Sequence, residues 1–248
     1  MQKKEYSIEI GGKTLTATFT DLAEQAHGSV LLKYGETVVL ATACMSKDAQ
    51  SGLGFFNLTV DYAEKFYAAG KILGSKYMRR EGKPSEEAVL GSRVIDRTLR
   101  PLFDQSIRHA VQVIVTVLAV DDNDPTILGI NAASLALAVS NIPWAGPVGA
   151  VRVGKYDSEN LEINPPVTKR GEDALYKYDL TVCGKDGNVN MIEASAREVS
   201  EDELENALKL ASEEITKLEN FQKKIVSEKK KEKRVIESET LDPRSLEL

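Results

Sequence analysis

The chain opens on alternation. Residues 6–10 and 15–19 place apolar side chains at every second position on either side of Gly11-Gly12. A period of two broken by glycines predicts a β-hairpin, because a tight turn needs positive φ and glycine adopts it without a steric cost. Residues 29–33 and 37–45 predict two further strands about Tyr34-Gly35-Glu36. The second reads TVVLATACM, apolar at nearly every position, which predicts a central strand covered on both faces. Residues 55–62 alternate again. The period then lengthens, and a helix is predicted between Ser85 and Pro101. Ser85 suits its N-cap, Glu86 and Glu87 suit the positive end of its dipole, and Pro101 stops it. On a helical wheel Ala88, Val94, Ile95 and Leu99 share a face fit to pack on a sheet, with Arg93, Arg97 and Arg100 on the opposite side.

Residues 110–120, AVQVIVTVLAV, form a long β-branched run and the best central-strand candidate in the chain. The turn DDNDP leads into a small-residue helix over 126–139, where Gly129, Ala132, Ala133 and Ala136 permit close approach to a sheet. Extended structure is expected over 143–153 and 161–164, and a hairpin over 179–183 and 189–194 about GKDGN. Ser200-Glu201-Asp202-Glu203 reads as a capping box. It opens a long helix with Leu204, Leu208, Ala211, Ile215, Leu218 and Ile225 at helical spacing. The lysine-rich stretch KKIVSEKKKEKR and the polar tail after it read as a solvated helix end or linker, with a second nucleic-acid contact as the alternative. The order of elements is mixed α/β with hairpins, without the regular alternation of a doubly wound fold.

With 248 residues, 42% of them apolar, the chain can bury the core of one large domain or of one domain with an appendage. No apolar run reaches the ~20 residues that span a bilayer, and the basic start lacks the apolar stretch of a secretory signal. Cys44 and Cys183 are far apart in apolar runs and read as reduced core residues, which suits a cytosolic protein. His27 and His109 have no ligating neighbours and read as structural polar residues.

Charge changes the picture. The formal net charge is −6, yet residues 68–84 carry Lys71, Lys76, Arg79, Arg80 and Lys83 against Glu81 alone. Such a local reversal is the footprint of an anion, a polyanion first of all. Single-stranded nucleic acid fits these residues: the cations for phosphates, Tyr77 and Met78 as an apolar platform for bases, and Gly70 and Gly74 for mobility. An ordinary mobile surface loop is the alternative. The chain has no GxxxxGK[ST] phosphate loop and no GxSxG nucleophile turn. Asp121, Asp122 and Asp124, and Glu172 with Asp173, are weak metal candidates, since aspartates in turns ordinarily serve the turn.

Three stretches carry a resemblance: FFNLTVDYAEKFYAAGKILGSKYMRREGKPSEEAVLGSRVIDRTLRPLF, INAASLALAVSNIPWAGPVGAVRVG, and YDLTVCG…MIEA…VSEDELENAL. Together they resemble the first ribonuclease-PH-like repeat of the bacterial polynucleotide phosphorylase family, over residues 1 to about 235. The resemblance implies a ribonuclease-PH-like mixed α/β domain over 1–199, its C-terminal helix over 200–235, and the start of a linker toward a helical domain over 236–248. It implies a cytoplasmic homotrimer that degrades single-stranded RNA from the 3′ end with inorganic phosphate, releasing nucleoside diphosphates. Mg2+ would be bound by a second repeat, and no cofactor is expected in this chain. The basic loop would line the pore that admits RNA. The family's usual pair of phenylalanines before two arginines is here Tyr77 and Met78 before Arg79 and Arg80. Lys83, commonly arginine, would line the path to a neighbouring active repeat with Arg93, Arg97 and Arg100.

The active repeat has adjacent serines where this chain has Pro125 and Thr126, and aspartates where it has Gly171 and Lys177. A lysine there would repel a cation. This repeat is therefore expected to be catalytically silent, with no metal site. A stand-alone RNA-binding or scaffold protein is the alternative. An independently active phosphorolytic enzyme is disfavoured by the same missing serines and aspartates.

Overall fold

The structure, a computed structural model, describes residues 3–50, 52, 54–72, 74, 82–156, 160–170, 176–229 and 231–236. The predicted hairpin is β1 (Lys4–Ile10) and β2 (Lys13–Phe19), turning on Gly11 and Gly12 at φ 55° and 76°. Next come β3 (Gly28–Tyr34) and β4 (Thr37–Met45), β5 (Leu58–Ala63), α1 (Glu86–Leu99) and β6 (Val111–Ala119). These strands form one six-stranded sheet in the order β1-β2-β3-β4-β6-β5. All neighbours run antiparallel except β5 and β6, whose parallel pairing is bridged by α1.

As expected, β4 is central, but it is fully covered on one face alone. Thr37, Val39, Ala41, Ala43 and Met45 are buried, whereas Val38, Leu40, Thr42 and Cys44 are half-buried. Cys44 is thus not a core residue. Cys183 is, and burial pushes its thiol up to about 12. The ring of His27 serves the fold, accepting a hydrogen bond at Nδ1 from the Met45 amide at 3.3 Å.

The small-residue helix is α2 (Pro125–Val139). It packs on β3, β4 and β6, and on β7 (Gly149–Lys155) of a second sheet. That sheet adds β8 (Glu162–Ile163), β9 (Tyr178–Lys185) and β10 (Asn188–Ala196) in the order β10-β9-β7-β8. With neighbours on every side, α2 is buried from Ile127 to Val139, which explains why its sequence has no polar face. Its two buried polar side chains act as backbone partners. Asn131 Oδ1 accepts from the Ala150 amide at 3.1 Å and its Nδ2 donates to the Ala150 carbonyl at 2.8 Å. Ser134 Oγ accepts from the Val148 amide at 2.9 Å.

α3 (Glu201–Glu228) has Ser200 as its N-cap, as the capping box predicts. Its Ala207, Ala211, Ile215, Leu218, Phe221 and Ile225 join the same core as the sheets. The helix ends at Glu228, short of residue 235. Residues 231–236 form neither helix nor strand and are mostly exposed, as a solvated end would be, yet hydrogen bonds tie the segment back on the domain. Lys233 Nζ donates to the carbonyls of Leu137, Ala138 and Ser140 at 2.8–3.1 Å, neutralising the C-terminal end of α2. The Arg234 guanidinium donates to the Ser46 and Lys47 carbonyls at 3.1 and 2.6 Å. Among the described residues no helix is long and apolar enough to cross a membrane.

Candidate nucleic-acid interface

The predicted site is assembled by α1 and the backbone on either side of its start. Ser85 Oγ accepts from the Ala88 amide at 3.0 Å and donates to Glu64 at 3.1 Å, which fixes the helix entrance against the end of β5. Ala88, Gly91, Val94, Ile95, Thr98 and Leu99 form the buried face. At Gly91 an added Cβ would lie 3.3 Å from the Tyr62 ring, so the glycine brings α1 close to β5. Burial raises the pKa of the Tyr62 phenol, so it stays neutral.

The opposite face carries the arginines, in three different settings. Arg93 is exposed and makes no ion pair with the described residues. Arg97 is 63% exposed and lies 4.0 Å from Glu193 of β10, the outer limit of an ion pair. Arg100 is committed. Its guanidinium donates to both carboxylate oxygens of Asp96 at 2.6 and 2.8 Å, and to the carbonyls of Phe56 and Leu58 at 3.4 and 3.2 Å. Lys83 is exposed just before α1. Tyr77, Met78, Arg79 and Arg80 lie outside the described residues.

Where the chain leaves β5 and returns to α1 there is a cleft of about 840 Å³. Val60, Tyr62, Phe66 and Val89 give it apolar walls, and Lys71 and Lys83 line it as cations. The apolar lining was missed in the sequence because its parts come from three separate segments. The exposure of Phe66 and Val89, at 46% and 45%, breaks the local patterning that would have flagged them.

The N-terminus of α2 is occupied by the chain's own charge. Asp124 caps it, accepting from the Thr126 amide at 2.8 Å. Its carboxylate also meets Arg152 Nε at 3.0 Å and Arg170 at 2.9 Å, and Arg152 reaches on to Asp179 at 3.0 Å. Burial pushes the Asp124 carboxyl upward, but the two guanidinium groups outweigh it and hold the carboxyl below its usual range. The neighbouring aspartates have separate tasks. Asp121 accepts from Thr37 and from the Glu36 and Asn123 amides, and Asp122 accepts from the Thr168 amide and hydroxyl. Lys177 pairs with Glu203 at 2.8 Å, and Gly171 lies outside the described residues, as do Glu172 and Asp173. Among the described residues no group of three or more His, Cys, Asp and Glu is placed to hold a metal ion.

Comparison with known proteins agrees with this architecture. Residues 12–143 match the model of the 3′ exoribonuclease family, domain 1. The chain is 46% identical over 229 residues to a polyribonucleotide nucleotidyltransferase of Caldicellulosiruptor bescii, covering 92% of this chain and 32% of that one. It is 50% identical over 215 residues to the protein of the same name from Thermomicrobium roseum, covering 86% and 27%. The chain therefore spans about a third of the length of these relatives. The crystal structure of rice Rrp46 superposes with a TM-score of 0.68 at 16% identity, over 86% of this chain and 94% of that one, which shows a shared fold. Both sheets, the helix between them and these matches place the chain in the 3′ exoribonuclease family, with a ribonuclease-PH-like fold.

Proposed function

We propose that this chain is the RNA-guiding, catalytically silent part of a phosphorolytic 3′-to-5′ exoribonuclease, one that releases nucleoside diphosphates with inorganic phosphate. The observation that carries the reading is the cationic track on α1. Lys71 and Lys83 stand at the cleft, and Arg93 and Arg97 follow one helical turn apart with guanidinium groups available to phosphates. Arg100 supports the track, holding the entry to β5 through its contacts with the Phe56 and Leu58 carbonyls. Tyr77 and Met78 would supply the apolar platform, with Arg79 and Arg80 as further phosphate contacts.

Silence is supported by the filled N-terminus of α2. Helix N-termini receive phosphate through free amides and positive dipole, and here the Asp124 carboxylate and its two arginines take that place. Phosphate and Mg2+ would be held by a second repeat, within a cytoplasmic homotrimer whose assembly this chain joins.

The test uses a labelled single-stranded oligoribonucleotide with phosphate and Mg2+. The chain should bind it and release no nucleoside diphosphate; phosphate-dependent release would overturn the silent reading. Arg93→Gln with Arg97→Gln should weaken binding similarly for all sequences and lower the salt slope by roughly 1.4, two single-strand phosphate contacts. An unchanged slope would remove α1 from the RNA path.

A further inference from the structure

The second sheet ends on one side in β8, two residues long, and on the other in β10, nine residues long. Edge strands ordinarily carry some protection against pairing with another chain: shortness, proline, lysines, a bulge or a cover. β1, at an edge of the first sheet, is covered in this way by α3, whose Glu228 accepts from Lys4 and Tyr6. β10 has a bulge between Val189 and Met191, but the stretch after it is open. From Ile192 to Ala196 every residue is exposed, whichever face of the strand it lies on, and Ile192 is exposed to 48%. That stretch, IEASA, holds neither proline nor lysine.

The ladder shows which backbone groups are free. The Arg197 amide donates to the Lys177 carbonyl at 2.9 Å, so it points at β9. Backbone groups alternate in direction along a strand, so those of Glu193 and Ser195 point the same way. Those of Ile192, Ala194 and Ala196 therefore point outward from the sheet edge. Side chains alternate between faces as well, which puts Glu193, Ser195 and Arg197 on one face. An identical strand laid antiparallel on this edge, with Ala194 opposite Ala196 of the second copy, places Ser195 on a twofold axis. The outward groups of Ala194 and Ala196 then exchange hydrogen bonds with their counterparts, and Glu193 stands directly opposite the second copy's Arg197. An axis at Glu193 would instead set two carboxylates against each other, and an axis at Ala194 would put Glu193 opposite Ser195. Both charges are available for the pairing. Glu193 lies 4.0 Å from Arg97, the outer limit of an ion pair. Arg197 rests on the Tyr176 ring at 4.7 Å and has no carboxylate partner among the described residues.

We propose that β10 is a docking edge for a second copy of this chain, the two strands pairing antiparallel about Ser195 to join two sheets into one. The self-complementary order of Glu193 and Arg197 selects a second copy over an unrelated strand. A twofold contact cannot close a ring of three, so this edge is separate from the proposed homotrimer, and it does not rest on the RNA reading. The pairing is short, so the dimer is a weak one that depends on concentration.

Sedimentation equilibrium of the 248-residue chain over a concentration series tests this. The chain should pass from monomer to dimer as concentration rises. Ala194→Pro should abolish the dimer, because it removes an outward N–H and leaves the ladder with β9 intact. Far-UV circular dichroism checks that this variant is folded. Glu193→Arg and, separately, Arg197→Glu should each weaken dimerisation by about tenfold, since each turns two attractive charge pairs repulsive. Mixing these two variants should restore association, because every charge then meets its opposite, and a folding defect in either variant would not be rescued in this way. Ser195→Cys should give a disulfide-linked dimer on oxidation, and Ile192→Cys should not. A chain that stays monomeric at every concentration overturns the proposal, as does a dimer that survives Ala194→Pro. Failure of the mixed charge variants to associate, or cross-linking through Ile192→Cys in preference to Ser195→Cys, overturns the pairing about Ser195.

Discussion

Arg93, Arg97 and Arg100 share one side of α1 and one chemistry, yet their surroundings give them different work. A guanidinium with its donors spent on Asp96, Phe56 and Leu58 has little left for a phosphate. Arg100→Gln should therefore destabilise the fold by about 1–3 kcal/mol, since it leaves two backbone carbonyls and Asp96 without their donor. Arg93→Gln should change stability by less than about 0.5 kcal/mol, as expected for an exposed side chain without ion-pair partners among the described residues. Urea unfolding of the two variants checks this, and equal midpoints would contradict the division. Helical periodicity was enough to read the arginine stripe from the sequence. It could not separate Arg100 from its neighbours, because its carbonyl partners lie more than forty residues earlier. The same holds for Asp124: a turn aspartate by local pattern, it is set apart by Arg152 and Arg170 arriving from distant segments.

Among the elements, local signals were the legible ones. The β1–β2 hairpin, the capped start of α1 and the capping box of α3 each rest on residues within a few positions of one another. The pairing of β4 with β6 does not, and neither does the packing of 231–236, whose lysines look solvated until Lys233 is seen on the end of α2. Close approach to α2 was legible from the helix side, in Ala136, but its counterpart on the sheet is Gly28. A Cβ on Gly28 would lie 2.1 Å from the Ala136 carbonyl oxygen and 2.8 Å from Ser140 Cβ. Backbone cannot yield as a flexible side chain can, so Gly28→Ala must part β3 from α2. The expected cost is about 1–3 kcal/mol of overpacking, or more. Thermal unfolding measures it, and a melting temperature equal to that of the unaltered chain would mean the strand and helix separate freely.

For the whole molecule, the Asp124 network is a charged tie between the two sheets. It joins the N-terminus of α2, which packs on the first sheet, to Arg152 of β7 and Asp179 of β9 in the second, with Arg170 closing it. The same contacts fill the place where an anion would otherwise bind, so stability and catalytic silence share one cause in the proposed reading. The pH dependence follows from the direction of the Asp124 shift. Its carboxyl is held below the ordinary range in the fold, so the tie is complete above an unfolded aspartate's pKa of about 3.9 and fades as pH falls through the folded value. Asp124→Asn leaves the half-buried Arg170 without a counter-charge among the described residues, while Arg152 keeps Asp179. The variant should lose about 3 kcal/mol near neutral pH, the lower end for breaking a buried pair. It should also lose less than the unaltered chain on acidification, since the group that would have been protonated is gone. Urea midpoints at pH 7, 5 and 3.5 therefore should converge, and two curves that stay parallel would show that Asp124 does not carry the tie.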